Sequence, residues 1–149
     1  WALRARLLAL VADPDVQGIV VTHGTDTLEE TAYLVARSVP PSKPIVFTGA
    51  MRAASDLGYD GPQNLLDAVR VAASPDAAGL GTMVAMGGVI FAGLEDTKGH
   101  THQLDAFEAP GLGPIGVVDD GRVIFRRRLV GVPPVLAPEA PATPVDIVG

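Results

Sequence analysis

The stretch Gly18-Ile-Val-Val-Thr-His-Gly-Thr-Asp-Thr27 predicts a strand, a sharp turn and the start of a helix. Its first residues form a short apolar run, which is typical of a strand buried on both faces of a parallel sheet. Gly24 lets the backbone turn off the strand. Asp26 or Thr27 can then cap a helix that should run to about Ser38. This stretch therefore predicts one strand–helix unit of an α/β fold.

Two further helices are predicted on either side of this unit. Residues 2–12 place leucine and valine at helical spacing, and Asp13-Pro14 ends the pattern. A second helix is predicted to open at Asp60-Gly61-Pro62, because proline is well tolerated in a first helical turn, and to close at Ser74. The apolar face predicted for this second helix consists of Leu65, Leu66, Val69 and Val71.

Further strands complete the expected sheet. Residues 44–48 predict a second buried strand, and residues 82–92 predict one or two strands interrupted by Gly87-Gly88. Residues 115–125 carry an Asp-Gly turn between two apolar runs, which is typical of a β-hairpin. We therefore predict a three-layer α/β fold of the Rossmann or flavodoxin-like kind. It should have a mostly parallel sheet, helices on both faces and a C-terminal β-hairpin.

The domain organisation follows from proline content and from the ends of the sequence. Residues 1–131 are predicted to form one α/β domain, incomplete at its start because the sequence begins at Trp1 rather than at Met. Residues 132–143 are rich in proline and are predicted to be a linker between domains. Residues 144–149 resemble a new strand that is cut short, and we interpret them as the start of a truncated second domain.

Composition excludes several classes of function. The formal net charge of -6 argues against non-specific binding to nucleic acid or to an anionic membrane, and the sequence shows no membrane span. The absence of cysteine excludes disulfides, thiolate nucleophiles and Cys-ligated zinc. His100, His102 and Asp105 could form a metal site, but the prediction is that the protein uses neither a metal nor a cofactor. A small-molecule substrate is expected instead.

The chemistry is expected in the loops that follow the first two buried strands. Ligands of open α/β sheets bind beyond the carboxyl ends of the strands, and residues 23–26 and 49–60 fall there. Thr25 and Asp26 stand at the start of a helix, where free N–H groups attract a carboxylate or stabilise an oxyanion. The alternative is that Asp26 only caps the helix and Thr25 only occupies a turn.

Five motifs, in order along the chain, resemble the bacterial-type asparaginase/glutaminase family. The run from Gly18 to Tyr33 is similar to that family's second active-site signature, and residues 43–52 are similar to its next strand and loop. Asp60-Gly-Pro-Gln-Asn-Leu65 resembles the start of its following helix. Asp96-Thr-Lys98, followed by residues 104–107, resembles the segment that bears its catalytic lysine, and residues 113–116 resemble the turn before its hairpin.

The resemblance implies a role for four residues. Thr25 matches the second catalytic threonine, whose hydroxyl acts at the substrate amide or on the attacking water. Asp26 matches the aspartate that holds the substrate's α-amino group, and Lys98 matches the lysine of a Thr-Lys-Asp proton relay. Ala50 matches the position whose backbone carbonyl faces the amide nitrogen. Lys98 is one of two lysines in a chain that otherwise uses arginine, which cannot lose its proton and so cannot replace it as a base.

Parts of the family pattern are absent from this sequence. The family's primary nucleophile is a threonine in a Thr-Gly-Gly-Thr-Ile motif, which does not occur here, and its C-terminal domain would begin near residue 149. The resemblance implies a homodimer or homotetramer for the full-length form, and a cytoplasmic location is predicted, with the periplasm as the alternative. We expect the 149-residue chain alone to have little or no activity, because acyl transfer needs the nucleophile.

Three functions are compatible with these observations. The first is an amidohydrolase that converts L-asparagine, or L-glutamine, to the acid and ammonia through a threonine-dependent acyl-enzyme. The second is a non-catalytic remnant or binding module that retains Asp26 to hold an amino acid. The third is the ammonia-supplying subunit of a tRNA-dependent amidotransferase, which shares these motifs.

Overall fold

A computed structural model describes residues 1–137 and shows strands and helices that alternate along the chain. The α-helices are α1 (Ala2–Ala12), α2 (Leu28–Ser38) and α3 (Gly61–Ala73), and a 3-10 turn follows at Pro75–Ala77. The strands are β1 (Ile19–Thr22), β2 (Ile45–Thr48), β3 (Thr82–Met86), β4 (Val89–Ala92), β5 (Thr97–Lys98), β6 (Phe107–Glu108), β7 (Gly116–Asp119) and β8 (Arg122–Phe125). None of the helices within the described range is long and apolar enough to span a bilayer.

The main sheet has six strands in the order β1-β2-β3-β4-β7-β8. β1, β2 and β3 are parallel, whereas β3 to β4, β4 to β7 and β7 to β8 pair antiparallel. The predicted α/β fold is confirmed, but the sheet is mixed rather than mostly parallel. The reason is local: Gly87-Gly88 adopt positive φ and close a hairpin, so the chain reverses after β3 instead of crossing over through a helix.

Helices cover both faces of the sheet, as the sequence predicts. Phe47 and Val84 pack with buried residues of α1 and α2, such as Leu7. Val46 and Met83, which alternate with them along the strands, pack on the other face with residues of α3. Because successive strand residues point to opposite faces, these two clusters form the two cores of a three-layer structure.

The apolar face predicted for α3 is wrong at three of its four positions. Val71 is fully buried, but Leu65, Leu66 and Val69 are exposed. The buried face instead carries Asn64, Asp67, Ala68, Val71 and Ala72. Small residues on this face let the helix lie close to the sheet: a side chain on Gly18 would collide with the backbone of Ala72. The closeness of the contact, rather than the size of the apolar side chains, decides which face is buried.

The C-terminal hairpin is confirmed. β7 and β8 pair in the register Asp119↔Arg122, and the turn residues Asp120 and Gly121 have φ of 47° and 73°. Positive φ at both central residues defines the turn that an Asp-Gly pair favours. Beyond it, residues 132–137 have no regular secondary structure, and the N–H of Leu136 donates to the Arg37 carbonyl at the end of α2. The rest of the predicted linker and the predicted strand at 144–149 lie outside the described residues.

Candidate active site

The two loops predicted to carry the chemistry lie side by side. β1 and β2 are parallel and in register at Thr22↔Thr48, so both chains leave the sheet at the same edge. The N–H of His23 still donates to the Thr48 carbonyl at 2.9 Å, which extends this pairing by one residue. The space between the loops is tight, because a Cβ on Gly49 would lie 2.5 Å from the His23 carbonyl oxygen. A glycine is therefore required where the second loop begins.

Thr25, Asp26 and Lys98 come together at this edge. The Lys98 Nζ lies 3.0 Å from Thr25 Oγ1 and 2.8 Å from Asp26 Oδ1. Thr25 and Asp26 form the turn before α2, so the backbone presents both side chains to the same amino group. The Lys98 side chain is only 13% exposed, whereas that of Asp26 is 96% exposed. The structure thus brings together the three residues for which the family resemblance implies a Thr-Lys-Asp relay.

Lys98 reaches this position through secondary structure that the sequence pattern did not indicate. Within the otherwise loop-like segment 94–107, Thr97–Lys98 and Phe107–Glu108 form a two-stranded antiparallel ladder. The N–H of Lys98 also donates to a carboxylate oxygen of Glu29, in the first turn of α2. Glu29 places a negative charge at the positive end of the helix dipole, and it also fixes the backbone of the lysine. Two-residue strands carry no recognisable periodicity, which explains why the sequence pattern did not indicate β5 and β6.

The charge of Asp26 is set by its lysine partner. The hydrogen bond from Lys98, and then its positive charge, hold the pKa of the Asp26 carboxyl below its usual value. Asp26 is therefore ionised at neutral pH, and no described residue donates to its second oxygen. It is not the N-cap of α2: the helix begins at Leu28 with Thr27 in the capping position, and no side chain caps it. The arrangement leaves an exposed carboxylate that can accept a ligand cation.

Ala50 lies in a different cleft from Asp26 and Lys98. It lines a cavity of about 570 Å³ together with His23, Gly24, Tyr59 and Pro62, among others. A second cavity, of about 420 Å³, is lined by Asp26, Glu29, Lys98, Gly99, His100 and Thr101. The two cavities share no lining residue.

Thr25 stands between these cavities. Its hydroxyl contacts Lys98. Its methyl group lies beside Gly49, 3.3 Å from the position that a Cβ there would take. The threonine therefore connects the lysine to the loop that carries Ala50.

A partly buried polar network supports this second loop. The Asp60 carboxylate accepts the N–H groups of Met51 and Arg52, and Asn64 donates to the Gly49 carbonyl. Asp60 and Asn64 stand at the start of α3, where capping residues are usual. They support the loop before it, and the Asp60 side chain does not cap the helix. The sequence does carry a signal for this network. An Asp and an Asn four residues apart at the start of a helix lie on the same face, so their side chains can bond to the same loop.

The histidines have local partners. The His23 Nδ1–H donates to the Gly24 carbonyl at 2.7 Å. The Nδ1 of His100 accepts the N–H groups of His102 and Gln103, both at 3.2 Å. Within residues 1–137, no three His, Cys, Asp or Glu side chains are grouped to hold a metal ion.

The fold and the site define a class of α/β protein in which the loop after a parallel strand presents a threonine and an aspartate to a lysine from a separate two-stranded ladder. The chain belongs to the asparaginase family, because the family profile described as "Asparaginase, N-terminal" matches residues 1–131.

Relatives and a solved structure agree with this family. L-asparaginase 2 of Bacillus subtilis is 45% identical over 118 residues, which are 79% of this chain and 32% of that protein. The glutaminase-asparaginase of Pseudomonas fluorescens is 43% identical over 125 residues, 84% of this chain and 34% of that protein. The crystal structure of a probable cytoplasmic L-asparaginase from Campylobacter jejuni superposes with a TM-score of 0.83 at 37% identity, covering 87% of this chain and 41% of that one. The chain therefore spans about a third of the length of the curated relatives that it matches.

Proposed function

We propose that residues 1–131 form part of the active site of an amidohydrolase that converts L-asparagine to L-aspartate and ammonia. The observation that carries this proposal is the position of the Lys98 amino group, which bonds to both the Thr25 hydroxyl and the Asp26 carboxylate. A threonine hydroxyl reacts only when a base removes its proton, and an amine in hydrogen-bond contact can do so. The family and the names of its members support the choice of substrate.

The proposed chemistry assigns a proton path to Thr25 and Lys98. In the neutral form, the Lys98 amine accepts a proton from the Thr25 hydroxyl, or from a water that this hydroxyl orients. The resulting ammonium then gives the proton to the nitrogen that leaves as ammonia. The low exposure of the Lys98 side chain keeps this path away from bulk water, which would otherwise compete for the proton.

Asp26 is proposed to hold the substrate rather than to react with it. Its carboxylate is ionised, and one oxygen is not used by any residue of the described chain. A substrate α-ammonium can pair with that oxygen while the other oxygen keeps Lys98 in place. L-Glutamine carries the same ammonium, so this contact does not discriminate between the two amides. A glutaminase-asparaginase among the relatives makes glutamine a reasonable second substrate.

The same proposal covers the domains, the assembly and the location of the whole protein. Residues 1–131 would be one domain, residues 132–143 a linker and residues 144–149 the start of a second domain, with a homodimer or homotetramer as the assembly. The predicted location remains the cytoplasm, with the periplasm as the alternative.

The test uses a chimera in which residues 1–131 replace the aligned segment of Bacillus subtilis L-asparaginase 2. The chimera should release ammonia from L-asparagine, and Thr25→Val and Lys98→Met should each remove most of that activity while the fold is retained. Near-normal rates in both variants would contradict the assignment. Binding of asparagine without turnover in the folded chimera would favour the binding module instead, and ammonia release only alongside an amidotransferase partner would favour the third function.

A further inference from the structure

The peptide groups on both sides of Ala50 are held by the start of α3. The Gly49 carbonyl accepts a hydrogen bond from Asn64 Nδ2 at 3.0 Å. On the other side, the N–H of Met51 donates to Asp60 Oδ2, also at 3.0 Å. The Ala50 carbonyl itself accepts no hydrogen bond from any residue of the described range. Ala50 is thus fixed through its neighbours while its own acceptor stays available.

Peptide geometry converts these bonds into a direction for the Ala50 carbonyl. The carbonyl of Ala50 and the N–H of Met51 belong to the same peptide group, which is planar. The described part of the chain contains no cis peptide bond, so the two groups point in opposite directions. Because Asp60 holds the N–H of Met51, the Ala50 carbonyl must point away from the Asp60 carboxylate.

The carboxylate that sets this direction is itself rigidly held. Its other oxygen, Oδ1, accepts the N–H of Arg52 at 3.0 Å, and Asn64 Nδ2 donates to Oδ2 at 2.8 Å. Asn64 is 2% exposed, and its Oδ1 accepts the N–H of Gly87 from the β3–β4 turn at 3.0 Å. The loop, the helix and the adjacent hairpin are therefore joined through two side chains.

Only an ionised carboxylate satisfies this arrangement. Asp60 faces three N–H donors, from Met51, Arg52 and Asn64, and an ionised carboxylate offers acceptors on both oxygens. Partial burial opposes its ionisation, but the backbone hydrogen bonds outweigh that effect and hold the pKa of Asp60 below its usual value. An asparagine at this position would turn an NH₂ group toward one of the donors and leave that donor without a partner.

We propose that Asp60 is a positioning residue for the reaction: it aims the Ala50 carbonyl, and Asn64 keeps it in place. This inference rests on the proposed function and on the role that the family resemblance implies for Ala50, whose carbonyl would face the amide nitrogen of the substrate. Asp60 touches neither the substrate nor the reacting atoms. Asp60 acts through the peptide plane that joins Ala50 and Met51. Its substitution should therefore affect the amide group of the substrate and not the α-ammonium that Asp26 binds.

The test compares Asp60→Asn with Asp67→Asn in the chimera described above. Asp67 is a matched control, since it lies on α3, the helix that begins directly after Asp60, and is more buried, but it bonds to Gln63 and Arg70 instead of the loop. Asp60→Asn should lower kcat for L-asparagine at least tenfold. It should leave the inhibition constant of L-aspartate within twofold, because aspartate keeps the ammonium and lacks the amide nitrogen. Asp67→Asn should change kcat less than twofold.

Three results would overturn the proposal. The first is a kcat for Asp60→Asn within twofold of the parent. The second is an equal loss of kcat in Asp60→Asn and Asp67→Asn. The third is a loss of L-aspartate binding that parallels the loss of kcat, which would indicate general damage to the site. The proposed function is tested separately by Thr25→Val and Lys98→Met. Its failure can therefore be distinguished from a failure of the inference about Asp60.

Amide hydrogen exchange of the 149-residue chain gives an independent readout that needs no activity. Asp60→Asn should speed exchange at Met51 or Arg52 at least tenfold and leave Gly87 protected. Unchanged exchange at both sites would also reject the proposal.

Discussion

The Lys98 amino group lies 3.0 Å from the Thr25 hydroxyl, although 73 residues separate the two in sequence. Three contacts produce this proximity. The β5–β6 ladder holds the lysine backbone, Glu29 accepts its N–H, and Asp26 takes a second hydrogen bond from its amine. The lysine is thus placed by α2, the same helix whose first turn follows the threonine.

Thr25 and Lys98 should act as one unit in catalysis. In the chimera, Thr25→Val and Lys98→Met should each lower kcat by about 100-fold or more, the usual contribution of general acid–base catalysis. The double variant should be little worse than the poorer single variant, because removing either partner already interrupts the proton path. Steady-state ammonia release measures all three. Losses that multiply would show that the two residues act independently.

Lys98→Arg is the control that separates charge from proton transfer. Arginine keeps the positive charge beside Asp26 but stays protonated in proteins. The variant should therefore fold and bind L-aspartate while remaining almost inactive. Substantial activity in Lys98→Arg would mean that the positive charge alone is required.

Asp26→Asn should affect substrate binding more than the other substitutions. Loss of the charged hydrogen bond to the α-ammonium should raise KM for L-asparagine about 10- to 100-fold. Since Lys98 holds the pKa of Asp26 below its usual 3.8, the parent should keep this binding contribution at all pH values above about 4 and lose it only in more acidic solution. KM measured between pH 5 and pH 8 should show no titration from this group.

Asp96 should make the chain less stable as the pH rises. Burial, together with the charges of Glu29 and Glu30, raises the pKa of Asp96 to about 7, and neither oxygen has a partner in another described residue. The unfolded chain loses this proton near the usual value of 3.8, whereas the folded chain keeps it to about pH 7. The contribution of Asp96 to stability is therefore full below about pH 4 and is lost as the pH rises to about 7.

Asp96→Asn tests this dependence, because it removes the ionisable group and keeps its shape. The free energy of unfolding of the chain at pH 8 should rise by up to roughly 4 kcal/mol, and the gain should shrink toward zero near pH 4. Urea denaturation at several pH values measures it. Asp105→Asn makes the same chemical change at an exposed position and is the matched control for the substitution itself. A gain that is constant with pH would exclude ionisation as the cause.

Gly49→Ala should force apart the two loops of the site. The new Cβ would lie 2.5 Å from the His23 carbonyl oxygen, which is too close for any real contact. We expect a loss of about 1–3 kcal/mol in the stability of the chain, typical of overpacking. Gly24→Ala is the matched control for stability, because an added Cβ there has no neighbour within 4 Å. Equal effects of the two substitutions on the denaturation midpoint would contradict this reading.

The sequence predicted the parts of the fold that depend on local pattern. Residues 18–22 and 44–48 are apolar runs, and each forms a parallel strand next to a turn that carries site residues. The second strand is buried throughout as predicted, whereas β1 lies at the edge of the sheet and only its Ile19 is buried. The direction of β4 was not predicted, because a glycine pair indicates a break without telling whether the chain crosses over or reverses. The placement of Lys98 depends on a two-residue ladder and on Glu29, both long-range contacts that leave no periodic trace. For the site, local pattern left open whether Thr25 and Asp26 act on a ligand or only form a turn and a helix cap. The resemblance to family motifs implied their roles.

The helix face on which sequence and structure disagree gives the last prediction. Val71 is fully buried in the core between α3 and the sheet, whereas Val69 on the same helix is 48% exposed. Val71→Ala should lower the free energy of unfolding by roughly 2 kcal/mol, because two buried methyl groups are lost and a cavity remains. Val69→Ala makes the same chemical change with the same gain in helix propensity, and it should alter stability by less than about 0.5 kcal/mol. Urea denaturation of both variants decides the matter: a larger loss for Val69→Ala would mean that the face predicted from leucine and valine spacing is the one that α3 buries.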